Sequence, residues 1–228
     1  MWLIYSDDRA GTVPHLKFSG KAIFMGLSEI LKLAKSKPTA AVILAAGSGQ
    51  RFSDIAGEKQ NCDLFDMPVI LRTVLAFEKC GVISEIVVVC RKEDTDDYRK
   101  MFDEQNITKL TTVTAGGSTR AESSLIGFEC ISDKAKFVAI HDGARCLVTP
   151  EMIEGTVREA WIHGAAAAGH ASTDTVKYSE DGMFITETVD RSKVWLIGTP
   201  QVFMTNMYRA AAYMAKKDGA AVTDDCMM

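Results

Sequence analysis

The chain has 228 residues, of which 26 are lysine or arginine and 30 are aspartate or glutamate, so its formal net charge is −4. This length suggests one domain or one domain with an appendage, and 47% hydrophobic with 25% charged residues is an ordinary globular composition. No apolar run approaches the roughly 18 residues that a membrane-spanning helix needs, so we expect no membrane segment. The mild acidity also argues against nucleic-acid binding, which requires a concentrated basic surface.

The N-terminus and the cysteines indicate a cytoplasmic protein. The apolar residues 1–5 are followed at once by Asp7 and Asp8, so we expect no signal peptide. The six cysteines are scattered without paired spacing, and we expect them to be reduced thiols. The four histidines also lack the spacing of metal ligands, which argues against a zinc site.

Segments typical of buried strands alternate with helical segments from residue 40 onward. Continuous apolar, mostly β-branched runs predict strands, and apolar spacing of three and four residues predicts helices. The predicted strands cover residues 40–46, 85–90, 110–114 and 136–140. The predicted helices cover residues 68–80, 92–104 and 123–130, with a fourth that Thr149 caps and Pro150 begins. This alternation predicts an α/β domain with a mainly parallel sheet flanked by helices.

Residues 171–197 depart from this alternation. They contain two extended pieces, residues 173–178 and 183–189, around the turn sequence Glu180-Asp181-Gly182. We therefore predict a β-hairpin inserted late in the chain. Because an isolated hairpin is only marginally stable, we expect it to pack on another surface, and a second subunit is a natural partner.

Residues 1–38 are the second departure. Their segment 23–33 has the apolar spacing of an amphipathic helix. We interpret it as an extra helix covering the edge of the domain and assign it no function.

A glycine loop follows the first predicted strand, at residues 47–52, with Glu58-Lys59-Gln60 shortly after it. Phe52 stands where a dinucleotide-binding loop has its third glycine, and no Gly-Lys-Ser/Thr follows, so neither that motif nor a P-loop fits. The glycines of the loop are instead followed by Arg51 and Lys59, two cations spaced to reach a triphosphate. A plain strand-to-helix turn with surface cations remains the alternative.

Two further loops of this kind follow predicted strands. Residues 115–124 contain glycine, serine and arginine, and residues 141–145 read His-Asp-Gly-Ala-Arg. Asp142 is suited to bind Mg²⁺ beside a triphosphate, although it could instead cap the next segment. We interpret His141 as a structural histidine rather than a base. Since the carboxyl ends of parallel strands meet at one edge of a sheet, the three loops together predict a nucleotide site.

In their order and spacing, these motifs resemble the 2-C-methyl-D-erythritol 4-phosphate cytidylyltransferase family over about residues 39–228. The residues that carry the resemblance are residues 44–51, Lys59-Gln60, Gly116-Gly117 with Arg120 and Ser123, His141-Asp142 with Ala144 and Arg145, Asp174-Thr175 with Lys177, Asp190-Arg191, Trp195 and Thr199-Pro200-Gln201. The resemblance implies a Rossmann-like nucleotidyltransferase fold whose inserted β-hairpin is a dimerisation arm. It also implies a homodimer that uses Mg²⁺ and transfers a cytidylyl group from CTP to methylerythritol phosphate in the non-mevalonate isoprenoid pathway.

The resemblance also implies a role for each matched position. Arg51 and Lys59 would be catalytic at the α-phosphate, and Asp142 would ligate Mg²⁺. Methylerythritol phosphate would be bound by Thr175, Lys177, Arg191 and Arg145, with Thr175 and Arg191 coming from the partner's arm. The residues that would hold CTP are Ala45, Ala46, Gly47, Ser48, Gly49, Gly116, Gly117, Arg120, Ser123, Asp142 and Ala144.

The sequence departs from the family pattern at several points. Glu58 stands where relatives have proline, Gly143 and Cys146 replace alanine and proline, and residues 222–228 end the chain before the helix, strand and catalytic lysine of relatives. We therefore expect an extension at residues 1–38 and a domain at 39–228 without its C-terminal segment. Either the chain is truncated, or residues 1–38 fill some of the exposed space. A ribitol 5-phosphate cytidylyltransferase and a truncated CTP-binding protein with little activity remain open alternatives.

Overall fold

A seven-stranded sheet forms the centre of the protein in this computed structural model, which describes residues 3–5, 36–47, 61–218 and 225–227. The strands of this sheet are β1 (Leu3–Tyr5), β2 (Thr39–Ala45), β3 (Ile83–Cys90), β4 (Leu110–Ala115), β5 (Phe137–Asp142), β6 (Ala165–Ala171) and β9 (Trp195–Met204). The strand order is β1-β6-β9-β5-β2-β3-β4, and β9 alone among these strands runs antiparallel to its neighbours. The predicted mainly parallel α/β architecture is therefore confirmed.

Helices cover both faces of this sheet. Those on one face are α1 (Val69–Lys79), α2 (Thr95–Glu104) and α4 (Pro150–His163), and those on the other are α3 (Arg120–Glu129) and α5 (Thr205–Asp218). Single 3₁₀ turns lie at Lys92–Asp94, Arg191–Lys193 and Asp225–Met227. None of the helices in the described part of the chain has the length and apolarity to cross a membrane.

The central strands are continuous apolar runs because both of their faces are covered. Along β2, Ala41 and Ile43 pack toward α1 and α4, whereas Val42 packs toward α3 and α5. The same alternation holds in β3 and β5, where Val87 and Val138 lie on the side of Val42. Each buried valine or isoleucine contributes about 1.5–3 kcal/mol, which is why such runs predict a doubly covered sheet.

The ends of α4 follow from single residues at its boundaries. Thr149 caps the helix, its hydroxyl oxygen accepting from the Met152 N–H at 3.3 Å, as predicted. Gly164 ends the helix with a positive φ of 88°, and its N–H donates to the Ala160 carbonyl at 2.7 Å. Helix α3 begins at Arg120 rather than at the predicted residue 123, because Thr119 caps it by accepting from the Glu122 N–H.

Strands β6 and β9 and helix α5 were not among the predicted elements. The β6 sequence, AAAAGHA, has no β-branched residue and favours a helix by propensity. It is a strand because β9 and β1 pair with it on either side. Tertiary pairing therefore overrides the local preference here.

The N-terminal segment contributes the edge strand β1. Leu3, Ile4 and Tyr5 pair in parallel with Ala166, Ala167 and Ala168 of β6. The predicted helix at residues 23–33 lies outside the described residues. The assignment of residues 1–38 as a separate extension stays a prediction, although part of this segment belongs to the central sheet.

The predicted hairpin is confirmed, with shorter strands than expected. Strands β7 (Val176–Tyr178) and β8 (Glu187–Val189) pair antiparallel in a separate two-stranded sheet. We call residues 172–194, which contain this hairpin, the arm. In the intervening turn, an Asp181 carboxylate oxygen accepts from the N–H groups of Met183 and Phe184 at 2.8 and 2.9 Å. Gly182 adopts a φ of 73°, which glycine tolerates without strain.

Candidate active site

The second and third candidate loops and Gly47, the start of the first, lie at the carboxyl edge of the sheet. The strand register places Leu44 beside Asp142 and Cys90 beside Ala115, so β2, β4 and β5 end at the same level. Backbone hydrogen bonds continue past the strand ends, from Gly143 N–H to the Leu44 carbonyl at 2.7 Å and from Gly116 N–H to the Cys90 carbonyl at 2.8 Å. The second and third loops therefore meet the end of β2 at this edge as predicted, whereas residues 48–52 of the first loop lie outside the described residues.

The end of β2 and the second loop are in close contact at Gly116. A Cβ atom there would lie 2.6 Å from the Ala46 Cβ and 2.6 Å from the Ser123 Oγ, so this position requires glycine. Ser123 in turn accepts from the Gly117 N–H at 3.1 Å and donates to the Thr119 carbonyl at 2.9 Å. The predicted CTP residues Ala46, Gly116, Gly117 and Ser123 thus form one continuous surface.

The Asp142 carboxylate lies between two arginines. Its Oδ1 accepts from Arg120 Nε and Nη2 at 3.3 and 3.2 Å, and its Oδ2 accepts from Arg145 Nε at 2.9 Å. Burial would raise the pKa of Asp142, but hydrogen bonds and charge from Arg145 and Arg120 outweigh it and lower that pKa below its ordinary value. The carboxylate is therefore ionised and held in place at neutral pH.

Arg120 is anchored on its other side by Asp225. Arg120 Nη1 donates to Asp225 Oδ2 at 2.5 Å, and the Asp225 side chain is only 1% exposed. Asp225 Oδ1 accepts from Ser124 Oγ at 2.7 Å and Tyr208 Oη at 3.0 Å. Burial lowers the pKa of Arg120, but the charges of Asp225 and Asp142 raise it above its ordinary value, so the guanidinium stays charged.

Sequence reasoning missed Asp225, Ser124 and Tyr208. The sequence gives little indication of their role. Asp225 lies far from the glycine loops along the chain, and no sequence motif connects it with Arg120. Only the folding of residues 225–227 beside α3 and α5 brings these side chains together.

His141 locks the end of β5 to β9. The Thr199 hydroxyl oxygen accepts from the Asp142 N–H at 3.2 Å and lies 2.9 Å from His141 Nδ1, while His141 Nε2 lies 3.3 Å from the Arg145 carbonyl. With the Thr199 hydroxyl donating to Nδ1, the ring proton is on Nε2 and reaches that carbonyl. Burial lowers the pKa of His141 to about 4, so the ring is neutral, consistent with a structural histidine.

The predicted binding residues of the arm lie apart from this cluster within the single chain. Lys177 Nζ donates to Thr188 Oγ1 at 2.6 Å, and Arg191 Nη1 donates to the Thr173 carbonyl at 3.1 Å. Among the described residues, no hydrogen bond or ion pair joins Thr175, Lys177 or Arg191 to Asp142.

The remaining predicted residues are positioned as follows. Ala45 is buried at the end of β2, Gly47 is exposed just beyond it, and Ala144 is half-buried in the third loop. Ser48, Gly49, Arg51 and Lys59 lie outside the described residues. Within the described part, no group of three or more histidine, cysteine, aspartate or glutamate side chains is arranged to hold a metal by itself.

A family model for 2-C-methyl-D-erythritol 4-phosphate cytidylyltransferase matches residues 39–228. Proteins of that name from Caldanaerobacter subterraneus subsp. tengcongensis and from Clostridium botulinum strain Langeland are 34% and 33% identical to the chain. The first alignment covers 82% of this chain and 83% of the relative, and the second covers 82% and 81%.

Solved structures agree with these sequence relationships. A 4-diphosphocytidyl-2C-methyl-D-erythritol synthase from Anaerococcus prevotii superposes with a TM-score of 0.75 at 27% identity, covering 85% of this chain and 82% of that one. The 2-C-methyl-D-erythritol 4-phosphate cytidylyltransferase from Thermus thermophilus superposes with a TM-score of 0.65 at 25% identity, covering 83% and 82%.

The mainly parallel sheet, with its glycine, serine and arginine loops at the carboxyl edge, defines a nucleotidyltransferase. The chain belongs to the 2-C-methyl-D-erythritol 4-phosphate cytidylyltransferase family.

Proposed function

We propose that the protein transfers a cytidylyl group from CTP to 2-C-methyl-D-erythritol 4-phosphate, releasing pyrophosphate. The observation that carries this proposal is the match of residues 39–228 to the family, with the motif residues of the second and third loops beside the end of β2 at one edge of the sheet. The product would be 4-diphosphocytidyl-2-C-methyl-D-erythritol, an intermediate of non-mevalonate isoprenoid synthesis. We also propose a cytoplasmic location, which is supported by the absence of disulfide bonds among the six cysteines, all of them described.

The CTP half of the site would be formed by the three loops. Ala46, Gly116 and Ser123 already pack in contact, which suits the close approach of backbone N–H groups to phosphate oxygens. Arg120 and Asp142 lie beside this surface and Ala144 follows in the third loop. The other residues that we assign to CTP binding are Ala45, Gly47, Ser48, Gly49 and Gly117.

The chemistry requires alignment and charge neutralisation rather than a covalent intermediate. A phosphate oxygen of the substrate attacks the α-phosphorus of CTP, the bond to the β-phosphate oxygen breaks, and the electron pair leaves with pyrophosphate. Negative charge grows on the transferring group and on the leaving group during this step. We assign Arg51 and Lys59 to its stabilisation.

Asp142 is the residue that we assign to Mg²⁺. Magnesium binds through one or two carboxylates together with phosphate oxygens and water, so a single carboxylate beside a triphosphate fits an ion that arrives with CTP. When bound, the ion would neutralise charge on the departing pyrophosphate. Asp142 supplies the carboxylate, and Arg145, through its Nε hydrogen bond, orients it.

We propose a homodimer in which the arm of one subunit completes the partner's site. The arm and the adjoining start of β9 expose large apolar side chains that a second chain would cover: Tyr178, Met183, Phe184, Ile185, Trp195, Leu196 and Ile197. Thr175, Lys177 and Arg191 on the arm would then contact methylerythritol phosphate together with the partner's Arg145.

The proposed reaction is tested by Mg²⁺-dependent pyrophosphate release from CTP with methylerythritol phosphate. Ribitol 5-phosphate is the parallel substrate, and release with it alone would overturn the choice of polyol. CTP binding without release would indicate a binding protein instead. Lys59→Ala is expected to lower kcat by about 100-fold or more while changing the CTP Kd far less. Lys100→Ala, on the exposed side of α2, is the matched control and should retain full activity.

Subunit exchange tests the arm. Lys59→Ala and Arg191→Ala chains are each expected to be inactive alone. If Arg191 acts in the partner's site, a mixed dimer has one site with both residues intact, and mixing should restore activity to roughly a quarter of wild type. If Arg191 acts in its own chain, every site of the mixed dimer lacks one residue, and mixing should restore nothing.

A further inference from the structure

Asp225 balances the charge around the proposed Mg²⁺ ligand. Asp142 contacts Arg120 and Arg145, and these three side chains together have an excess of one positive charge. An excess positive charge would oppose the approach of a divalent cation to Asp142. Asp225 cancels it through its ion pair with Arg120, at 2.5 Å between Nη1 and Oδ2.

The position of Asp225 is fixed by contacts that do not involve the site. Its Oδ1 accepts from Ser124 Oγ and Tyr208 Oη, two buried hydroxyl groups on α3 and α5 that are themselves 2.7 Å apart. The side chain is 1% exposed, so water does little to screen its charge. Asp225 therefore acts on Arg120 as a fixed, unscreened negative charge.

Arg120 is shared between the two carboxylates. Its Nη1 is on Asp225, whereas its Nε and Nη2 are both on Asp142 Oδ1. A cation that binds Asp142 Oδ1 has to displace these two hydrogen bonds. Because Asp225 retains Arg120 on the other side, the guanidinium keeps a buried partner when Asp142 turns toward the cation.

We propose that Asp225 is a positioning residue that neutralises and anchors Arg120 so that Asp142 can accept the cation bound to the nucleotide. This inference depends on the proposed function, since it assumes that CTP with Mg²⁺ occupies the site. Asp225 itself touches neither substrate nor cation. It acts on the site through its negative charge and through its contact with Arg120, so the effect of its charge is retained when Arg120 is replaced.

The test is the Asp225→Asn variant, which removes the charge and keeps the size of the side chain. Two quantities are measured at increasing Mg²⁺ concentration: the CTP Kd, by calorimetry, and the rate of pyrophosphate release. The Mg²⁺ midpoint is the Mg²⁺ concentration that gives half of the full change in the Kd or in the rate. We expect it to rise about tenfold in both measurements. The CTP Kd in EDTA should change by less than about threefold. An unchanged Mg²⁺ midpoint would overturn the inference.

Tyr208→Phe is the matched control. It removes a buried hydroxyl from the same carboxylate but leaves all charges in place, so it should lower the Tm without moving the Mg²⁺ midpoint. If Tyr208→Phe moved that midpoint as far as Asp225→Asn, packing rather than charge would be responsible and the inference would be wrong.

A charge-paired variant covers the case in which Asp225→Asn does not fold. Arg120→Gln alone leaves the cluster with one excess negative charge, and Arg120→Gln with Asp225→Asn restores neutrality. The double variant should therefore need more Mg²⁺ than Arg120→Gln alone, and equal midpoints would refute the inference. Wild-type protein that binds CTP but releases no pyrophosphate would refute the proposed function, while the calorimetric comparison would still decide the role of Asp225.

Discussion

Lowering the pH is expected to destabilise the protein through His141. The His141 ring is fully buried and packs on Phe77, with 5.0 Å between the ring centroids. Its two nitrogens form hydrogen bonds with the Thr199 hydroxyl and the Arg145 carbonyl. Burial lowers its pKa from 6.5 to about 4. The unfolded chain therefore binds a proton at His141 between these pH values, whereas the folded protein does not.

The sign and size of the effect follow from this difference. The stability that the neutral ring provides is fully present above pH 6.5 and is lost as the pH falls from 6.5 toward 4. Between pH 7.5 and pH 5, the expected loss of the free energy of unfolding is about 2 kcal/mol, which is a large part of a typical net stability of about 5–15 kcal/mol.

Urea unfolding of wild type and His141→Asn at pH 7.5, 6.5, 5.5 and 5.0 measures this loss. The asparagine carbonyl can still accept from the Thr199 hydroxyl but has no proton to gain, so carboxylate titrations common to both proteins cancel in their difference. We expect the advantage of wild type over the variant to shrink by about 2 kcal/mol from pH 7.5 to pH 5. A difference that stays constant over this range would refute a buried, neutral His141.

Two further predictions concern the packing of the sheet. Gly127→Ala in α3 would normally gain about 1 kcal/mol of helix propensity, but its Cβ would collide with Val42 Cγ1 and lie 2.6 Å from Val89 Cγ2. Urea unfolding should show a net loss of about 1–3 kcal/mol, and a gain would contradict this packing. Trp161→Phe removes the buried hydrogen bond from Nε1 to Thr39 Oγ1, 3.1 Å long, and should cost about 1 kcal/mol. Thr39→Val removes the same bond together with the one that Thr39 Oγ1 donates to the Lys37 carbonyl at 2.9 Å. In a Thr39→Val background, Trp161→Phe should therefore cost less than it does in wild type, and an equal cost would exclude the bond as the cause.

The loop arrangement at the site follows from sequence reasoning because parallel strands have a fixed direction. Residues 40–46, 110–114 and 136–140 are recognisable as strands, and each is followed by a loop that contains glycine and arginine. Once the strands are parallel, these loops must meet at one edge. The match of the chain to the family, including Asp142 and Ser123 in the right order, likewise required only the sequence.

The partners of Asp142 could be recognised only in the tertiary structure. Arg120 and Asp225 are 105 positions apart in the chain, and neither residue type nor spacing indicates that one neutralises the other. Strand β6 shows the same limit, since its alanines form a strand only where β9 and β1 pair with them. Local patterns record which faces are buried, and so they determined the class of fold and the edge of the sheet at which we propose the site. Long-range pairing and the balance of buried charges depend on which distant segments meet, and only the folded chain decided them.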